Sequence, residues 1–130
     1  MKIIDGTNAT MGRLASYAAK EALKGEEISI INCGKVIITG SRENIEREFH
    51  EKRGRVGSGH KGPKHSRNSE KIVKRAIRGM LPDHRSGRGR EALRRIKCYV
   101  GAPKEFENKK KVVAGKVKGS KFISVEEIRK

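Results

Sequence analysis

The sequence has few of the residues that build large cores and rigid frameworks. Among 130 residues there are no tryptophans, two tyrosines, three phenylalanines, three prolines and two cysteines. Leu, Ile, Val and Phe number 28, about 22% of the chain, little above the level at which highly charged sequences stay disordered. The length and composition therefore predict a single domain, residues 1–130, with a small hydrophobic core.

Cysteine pairs and long apolar runs are also lacking, and each absence excludes a class of protein. Cys33 and Cys98 stand alone, without the CxxC motif or the dense cysteine framework of small secreted domains, so we expect reduced, buried thiols. No segment approaches the roughly 18 apolar residues of a membrane span, and the N-terminus has no signal-peptide pattern. We expect a soluble, cytoplasmic protein that does not contact a membrane.

Patterns typical of catalysis and cofactor binding are missing as well. Asp5 and Asp83 are the only aspartates, and no serine lies in a GxSxG motif. Residues 57–62 match GxGxxG, but a dinucleotide site needs a strand before this motif and a helix after it. Here the preceding residues are charged and Pro63 follows at once. We therefore expect neither an enzyme nor a cofactor nor a small-molecule substrate.

Positive charge is what the sequence has in excess, and it is concentrated in the middle of the chain. The net charge is +17, and the segment 50–104 supplies +13 of it with 17 basic and 4 acidic residues. Positions 1–49 are balanced, with seven residues of each sign. A field of this strength attracts polyanions, of which nucleic acid is the commonest. Residues 50–104 are therefore expected to form a basic RNA-binding block, called the basic block below.

The hydrophobic pattern predicts the α/β class: a single three-layer domain with a small, mostly parallel or mixed sheet, flanking helices and long basic loops. Strands are expected at residues 2–5, 28–32 and 36–39, the last two buried on both faces because they are nearly all apolar. A helix over residues 11–24 is expected to be capped by Thr10 and ended by Gly25. A second helix is expected from a cap at Ser41 to residue 53.

Further elements are predicted in the second half of the chain. A helix from Ser69 carries an apolar stripe formed by Ile72, Val73, Ala76, Ile77 and Met80. Pro82 is expected to end it, followed by a flexible run over residues 83–89, a short helix over 90–95 and a strand over 97–100. Ser124 and Glu127 have the spacing of a capping box, which predicts a helix over residues 125–130.

In the helix that begins at Ser69, the side opposite the apolar stripe is expected to bind phosphates. Its four cations have no matching acid, and like charges at i, i+3 and i+4 repel by a few tenths of a kcal/mol per pair. Together with the flanking loops and the start of the first helix, this side gives the candidate RNA-binding residues: Arg13, Lys52, Arg53, Arg55, His60, Lys61, Lys64, His65, Arg67, Lys71, Lys74, Arg75, Arg78, His84, Arg85, Arg88, Arg90, Arg94 and Arg95.

Two of these assignments had alternatives. Arg13 lies in the first turn of a helix, where it opposes the macrodipole; either a phosphate at the helix start compensates, or the side chain points into water. The histidines at positions 50, 60, 65 and 84 lack the helical partner or neighbouring cysteine that a zinc site uses, and a basic environment disfavours a cation. We therefore expect no metal and interpret His60, His65 and His84 as donors to RNA.

The kind of nucleic acid follows from the aromatic residues. Five aromatic side chains, scattered along the chain, are too few for the base-stacking platforms of single-strand binders. Glycine-rich basic loops that fold on contact suit the irregular surface of a structured RNA. Composition alone does not exclude DNA as the ligand. The alternative to an RNA-binding protein is therefore a chromatin-type DNA-compacting protein.

Four blocks of sequence carry a resemblance to a known family: MGRLAS at 11–16, INCGKVIITG at 31–40, IRGMLP at 77–82 and LRRIKCYVG at 93–101. In this order they closely resemble the L-thirteen family of large-subunit ribosomal proteins. The resemblance implies a three-layer α/β domain that binds large-subunit ribosomal RNA, supports subunit assembly beside neighbouring ribosomal proteins and has no catalytic role.

Details of the chain are more similar to archaeal members of that family than to bacterial ones. These are the absence of tryptophan, the start at the first strand and the form of the basic loop. The bacterial pattern is not evident beyond residue 101. Residues 102–130 are therefore expected to form a C-terminal extension.

Overall fold

The computed structural model describes residues 1–115 and 121–128. The strands are β1 (Lys2–Asp5), β2 (Ile28–Ile31), β3 (Ile37–Thr39), β4 (Ile96–Cys98), β5 (Lys111–Val113) and β6 (Phe122–Ser124). The helices are α1 (Met11–Leu23), α2 (Arg42–Gly54), α3 (Ser69–Arg78), α4 (Gly87–Arg95) and α5 (Val125–Ile128). Short 3₁₀ turns lie at Cys33–Lys35, Ser58–His60 and Lys104–Phe106. Because strands and helices are interleaved, the predicted α/β class is confirmed.

Four strands form one parallel sheet in the order β4-β2-β1-β5. In its centre, β1 pairs with β2 in register, from Lys2 opposite Ile28 to Asp5 opposite Ile31. All four residues of β2 are buried, which explains its nearly uniform apolar sequence. The mostly parallel sheet expected from the sequence is confirmed.

β3 departs from the prediction. It lies outside the parallel sheet and pairs antiparallel with β6, with Ile38 opposite Ile123. Ile37 is buried, but Ile38 is half-buried and Thr39 is exposed. The expectation that this segment is buried on both faces was therefore wrong, because it belongs to a two-stranded ribbon and not to the centre of the sheet.

The two faces of the parallel sheet are covered differently. On one face, residues of α1, α3 and α4 pack against Ile4 and Ile30 in the main core, to which they contribute Leu14, Ala15, Ala18, Val73, Ile77 and Ala92. On the other face, Ile3 and Ile31 pack against Phe106 and Tyr99, whose rings lie 5.6 Å apart between centroids. The α3 and α4 parts of the basic block therefore lie on the helical side of the sheet, while β4 of the same block is a strand of the sheet.

The helices α1 and α2 begin and end close to the predicted positions, but the predicted side-chain caps at Thr10 and Ser41 do not form. α1 begins after Thr10 and α2 after Ser41, but neither side chain makes a capping hydrogen bond. Gly25 ends α1 with φ +99°, as expected for a left-handed residue. The Ser124 Oγ accepts a hydrogen bond of 3.3 Å from the Glu127 amide, which confirms that contact of the capping box. The last two residues of the helix predicted over 125–130 lie outside the described residues.

Two predictions in the second half of the chain were wrong. Met80 is 46% exposed, because α3 ends at Arg78 and the apolar stripe does not continue beyond it. α4 begins at Gly87, so Gly89, interpreted as part of a flexible run, is a buried residue inside a helix. The strands β5 and β6 were not predicted.

Candidate nucleic-acid interface

The candidate residues of the basic block lie on the surface. None of the nineteen predicted RNA-binding side chains is fully buried. Seven of those on α2, on α3 and on the loop between the two helices line one groove: Lys52, Lys64, His65, Lys71, Lys74, Arg75 and Arg78. The cations at residues 85–94 follow on the next loop and on α4.

The basic loop between α2 and α3 is held at its C-terminal end by two arginines. The Arg53 Nε of α2 donates a hydrogen bond of 3.4 Å to the carbonyl of His65. The Arg75 Nη1 of α3 donates one of 3.1 Å to the carbonyl of Lys64. These two predicted RNA-binding arginines therefore also position the loop between the two helices.

The glycines of the GxGxxG match fold this loop back on itself. The Gly62 amide donates a hydrogen bond of 2.9 Å to the Val56 carbonyl. Gly57 has φ +71°, and a Cβ there would lie 2.4 Å from the Gly62 Cα. These two glycines are needed for the close approach of two backbone segments, and the exposed tip of the loop presents His60 and Lys61.

A groove that the sequence did not predict lies between α2 and α3. Its volume is about 800 Å³. Its apolar residues are Met11, Ile38, Ile45, Phe49, Ile72, Ala76, Leu93 and Ile128. Its basic residues are Lys52, Lys64, His65, Lys71, Lys74, Arg75 and Arg78, and its one carboxylate is Glu48. This α2/α3 groove therefore combines an apolar floor with basic walls. Periodicity within single helices could not reveal it, because it forms between helices.

The pKa of His65 is affected by its burial and by the surrounding cations. Partial burial lowers the pKa of the imidazole, and so do Arg75, Lys52, Arg55 and Arg78 in decreasing order. All of these effects disfavour a further positive charge. The lowered pKa favours the neutral imidazole, which has one N–H donor.

Neighbouring arginines on α4 have different surroundings. The Arg95 Nη1 donates a hydrogen bond of 3.1 Å to the carbonyl of Ala22 at the end of α1, and its Nη2 lies 3.8 Å from the Glu91 carboxylate. Arg94 is exposed and forms no ion pair within residues 1–115 and 121–128. Arg95 thus fixes α4 to α1, whereas Arg94 is free to bind a ligand.

The loop before α4 is ordered by Asp83. Its carboxylate accepts hydrogen bonds of 3.2 Å from the Arg85 amide and 2.7 Å from the Ser86 hydroxyl. The Ser86 bond and then the Arg85 bond lower the pKa of Asp83. The first part of the run predicted to be flexible is therefore a turn that presents Arg85 at the surface, whereas Arg88 lies exposed in the first turn of α4.

Arg13 lies exposed in the first turn of α1. Beside it, a Cβ at Gly12 would meet no atom within 4 Å, so the surface there is open. The Thr10 amide is already used, because it donates a hydrogen bond of 2.8 Å to the Gly115 carbonyl. Both interpretations of Arg13, with phosphate or with water, fit this geometry.

In the part of the chain that the structure describes, no helix has an apolar run long enough to cross a bilayer. In the same residues, no three His, Cys, Asp or Glu side chains are grouped so that they could hold a metal ion.

Comparisons with known proteins agree on one family. The family described as "Ribosomal protein L13" matches residues 1–105. The large ribosomal subunit protein uL13 of Methanopyrus kandleri is 47% identical over 105 residues, which are 81% of this chain and 65% of that protein, slightly under two thirds of its length. The uL13 proteins of Methanocaldococcus jannaschii and Thermoplasma volcanium are 40% and 42% identical, and each match covers 100% of this chain and 96% of the relative.

Proposed function

Because the chain belongs to the ribosomal protein L13 family, we propose that it is a structural constituent of the large ribosomal subunit and binds large-subunit ribosomal RNA through the basic block. This family consists of structural ribosomal proteins and not of enzymes, so the chain has no catalytic role. Its relatives named above are archaeal, which agrees with the archaeal resemblance of the sequence. Its place of action is then the ribosome in the cytoplasm, beside neighbouring ribosomal proteins.

The observation that carries the RNA-binding proposal is the lack of acidic partners on α3. Within the described residues, Lys71, Lys74 and Arg78 form no ion pair. Glu70, in the same helix, does not serve them, because its Oε2 is buried without a hydrogen-bond partner in that part of the chain. Phosphates would relieve the repulsion among these cations.

The balanced N-terminal part of the chain provides the contrast. There, the Lys2 ammonium pairs with the Glu21 carboxylate, and the Lys24 Nζ lies 3.2 Å from the same group. Lys2 and Lys24 are thus matched by an acid, whereas Lys71, Lys74 and Arg78 of α3 form no ion pair in the described residues. This contrast favours an external anion as the partner of the basic block.

The shape of the basic loop supports a role in subunit assembly. Its C-terminal end is fixed to α2 and α3 by Arg53 and Arg75, and its backbone is closed at Gly62. The sequence suggested a loop that folds on contact with RNA; a loop held by these internal bonds loses less conformational entropy on binding than such a loop. It can therefore hold RNA segments in a defined relative position as the subunit forms.

Competition binding tests the proposal. The purified chain is titrated with a large-subunit ribosomal RNA transcript, a length-matched unrelated RNA and duplex DNA over a series of salt concentrations. A preference for the ribosomal transcript that persists at high salt is the expected result. Equal binding to all three that salt abolishes would overturn it and favour the DNA-compacting alternative.

Charge-matched variants locate the interface. The triple variant Lys71→Gln, Lys74→Gln and Arg78→Gln should reduce the magnitude of the slope of log K against log salt by roughly 2 to 3, since each phosphate contact contributes about 0.7 to 0.9. The control variant Lys20→Gln, Lys35→Gln and Lys121→Gln changes three exposed lysines outside the basic block and should keep the slope. Equal losses in both variants would mean that only net charge matters.

A further inference from the structure

The floor of the α2/α3 groove is an apolar surface that α2 and α3 only partly cover. Ile45 and Phe49 of α2 and Ile72 and Ala76 of α3 line it, and all four are half-buried. They face a volume of about 800 Å³, which is within the range of sites that bind peptides and small molecules. The groove is therefore large enough for several side chains of a partner.

α2 is short of packing on its own side of this groove. It has 13 residues, none of which is buried. Ile45 and Phe49 are its only large apolar residues, and a helix of this length is marginal in water without tertiary packing. A partner that covers these two side chains would supply the apolar contact that α2 lacks.

The walls of the groove indicate the charge of that partner. Lys52 stands on the α2 side and Lys71, Arg75 and Arg78 on the α3 side, while Glu48 is the one carboxylate in the lining. An apolar floor between basic walls complements a helix whose apolar stripe is flanked by acidic residues.

We propose that the α2/α3 groove docks an acidic amphipathic segment of another protein in helical form. Apolar side chains spaced i, i+3, i+4 and i+7 would fill the floor, and flanking carboxylates would pair with the lysines and arginines of the walls. These wall cations are also in the proposed RNA interface, so the docked segment would compete with RNA phosphates for them. The identification of this partner as a neighbour in the ribosome rests on the proposed function.

RNA and a second copy of the chain fit the groove less well. Phosphates would satisfy the walls, but the edges of nucleobases carry donors and acceptors for which the aliphatic floor offers no partners. Phe49 and His65 are the only two ring side chains of the lining, so it offers few surfaces for base stacking. A second copy would bring a net charge of +17 against basic walls.

Photocrosslinking in assembled subunits tests the proposal. A benzophenone side chain is installed in place of Phe49, and in a separate protein in place of Val56, which is 60% exposed in the basic loop. Position 49 should crosslink to an acidic amphipathic peptide of another ribosomal protein. A crosslink from position 49 to RNA, or none at all, would overturn the docking proposal.

The control at position 56 separates the two proposals. A crosslink from this position to ribosomal RNA supports the proposed function whatever position 49 does. If position 56 reaches no RNA while position 49 crosslinks to an acidic peptide, docking stands and the proposed RNA interface fails.

A binding experiment with the unmodified chain covers the case in which the benzophenone prevents assembly. The probe is a synthetic helical peptide with a leucine stripe flanked by glutamates, and its controls carry lysines for the glutamates or alanines for the leucines. The probe should shift the methyl signals of Ile45 and Ile72 and bind roughly tenfold more tightly than either control. Equal binding of all three peptides would contradict docking.

Charge reversal on the α3 wall sharpens the peptide experiment. The variant Lys71→Glu and Arg78→Glu should lose affinity for the acidic peptide and gain it for the lysine peptide, because both side chains line the wall. An unchanged preference would exclude the groove as the binding site.

Discussion

Gly89, in the first turn of α4, lies directly against the carbonyl of Pro82: a Cβ at position 89 would be 1.6 Å from that oxygen. A second oxygen, the carbonyl of Asp83, would be 2.7 Å away. Only a glycine allows α4 to approach the preceding loop this closely. The contact fixes the start of the helix that carries Arg90 and Arg94.

The substitution Gly89→Ala is expected to destabilise the fold by roughly 1 to 3 kcal/mol or more, because the backbone must move to admit a methyl group. Gly12→Ala is the matched control, since Gly12 also lies in a first helical turn and a Cβ there meets no atom within 4 Å. It should be neutral or slightly stabilising. Urea denaturation gives both values, and a Gly89→Ala protein as stable as the parent would contradict the close approach.

Arg95→Ala should lower the free energy of unfolding by about 1 to 2 kcal/mol, because it removes the charged donor to the Ala22 carbonyl. Arg94→Ala, at the exposed neighbouring position, should change stability by less than about 0.5 kcal/mol and should weaken RNA binding instead. Denaturation and RNA titration of the two variants distinguish these roles. Equal stability of the two variants would argue against the α1 anchor.

The pKa of His65 is expected to rise when the chain binds RNA. In the free chain, burial and neighbouring cations lower this pKa; phosphates paired with Arg75 and Lys52 would offset the cations. Because binding then favours the protonated imidazole, the affinity for RNA should increase as the pH falls from the His65 pKa of the bound chain to that of the free chain. Imidazole NMR titrations of the free and bound chain give both values. A His65 pKa that is the same in both states would place this residue outside the interface.

Acid should weaken the fold through Glu21. Hydrogen bonds from Lys2 and then Lys24 lower the pKa of this carboxyl. Its contribution to stability is therefore present above the unfolded-state pKa and is lost as the pH falls through the lower, folded-state value.

Glu21→Gln should flatten the acid limb of the curve of stability against pH, measured by urea denaturation between about pH 7 and pH 3. The control is Glu27→Gln, at an exposed position whose carboxylate has no ion-pair partner in the described residues. It should keep the acid limb. If Glu21→Gln had the same curve of stability against pH as the parent protein, the ion pairs of Glu21 with Lys2 and Lys24 would not contribute to stability.

The sequence was most informative for segments whose structure depends mainly on their own residues. The spacing of apolar residues predicted β1 and α1 close to their observed bounds and α3 at its observed start, and Gly25 marked the end of α1 because few other residues adopt its φ of +99°. The four blocks in residues 11–101 identified the family in which the chain is found.

Predictions failed where a segment depends on distant residues. The pattern of β3 could not show that its partner is β6, more than 80 positions later in the chain. The neighbouring residues in sequence did not distinguish Gly89 from Gly57. A glycine is needed at position 89 because Pro82 lies against it, and at position 57 because the basic loop closes there against Gly62.

The sequence by itself determined the α/β class and the concentration of positive charge in residues 50–104, because composition and periodicity are properties of the chain alone. It also determined the family, through the four blocks that resemble it. Only the tertiary structure decided which cations have other tasks, such as Arg95 at the end of α1 and Arg75 at the loop. It also created the α2/α3 groove, whose floor and walls come from residues far apart in sequence. Charge is carried by each residue separately, whereas a hydrogen bond or a groove exists only when folding brings its parts together.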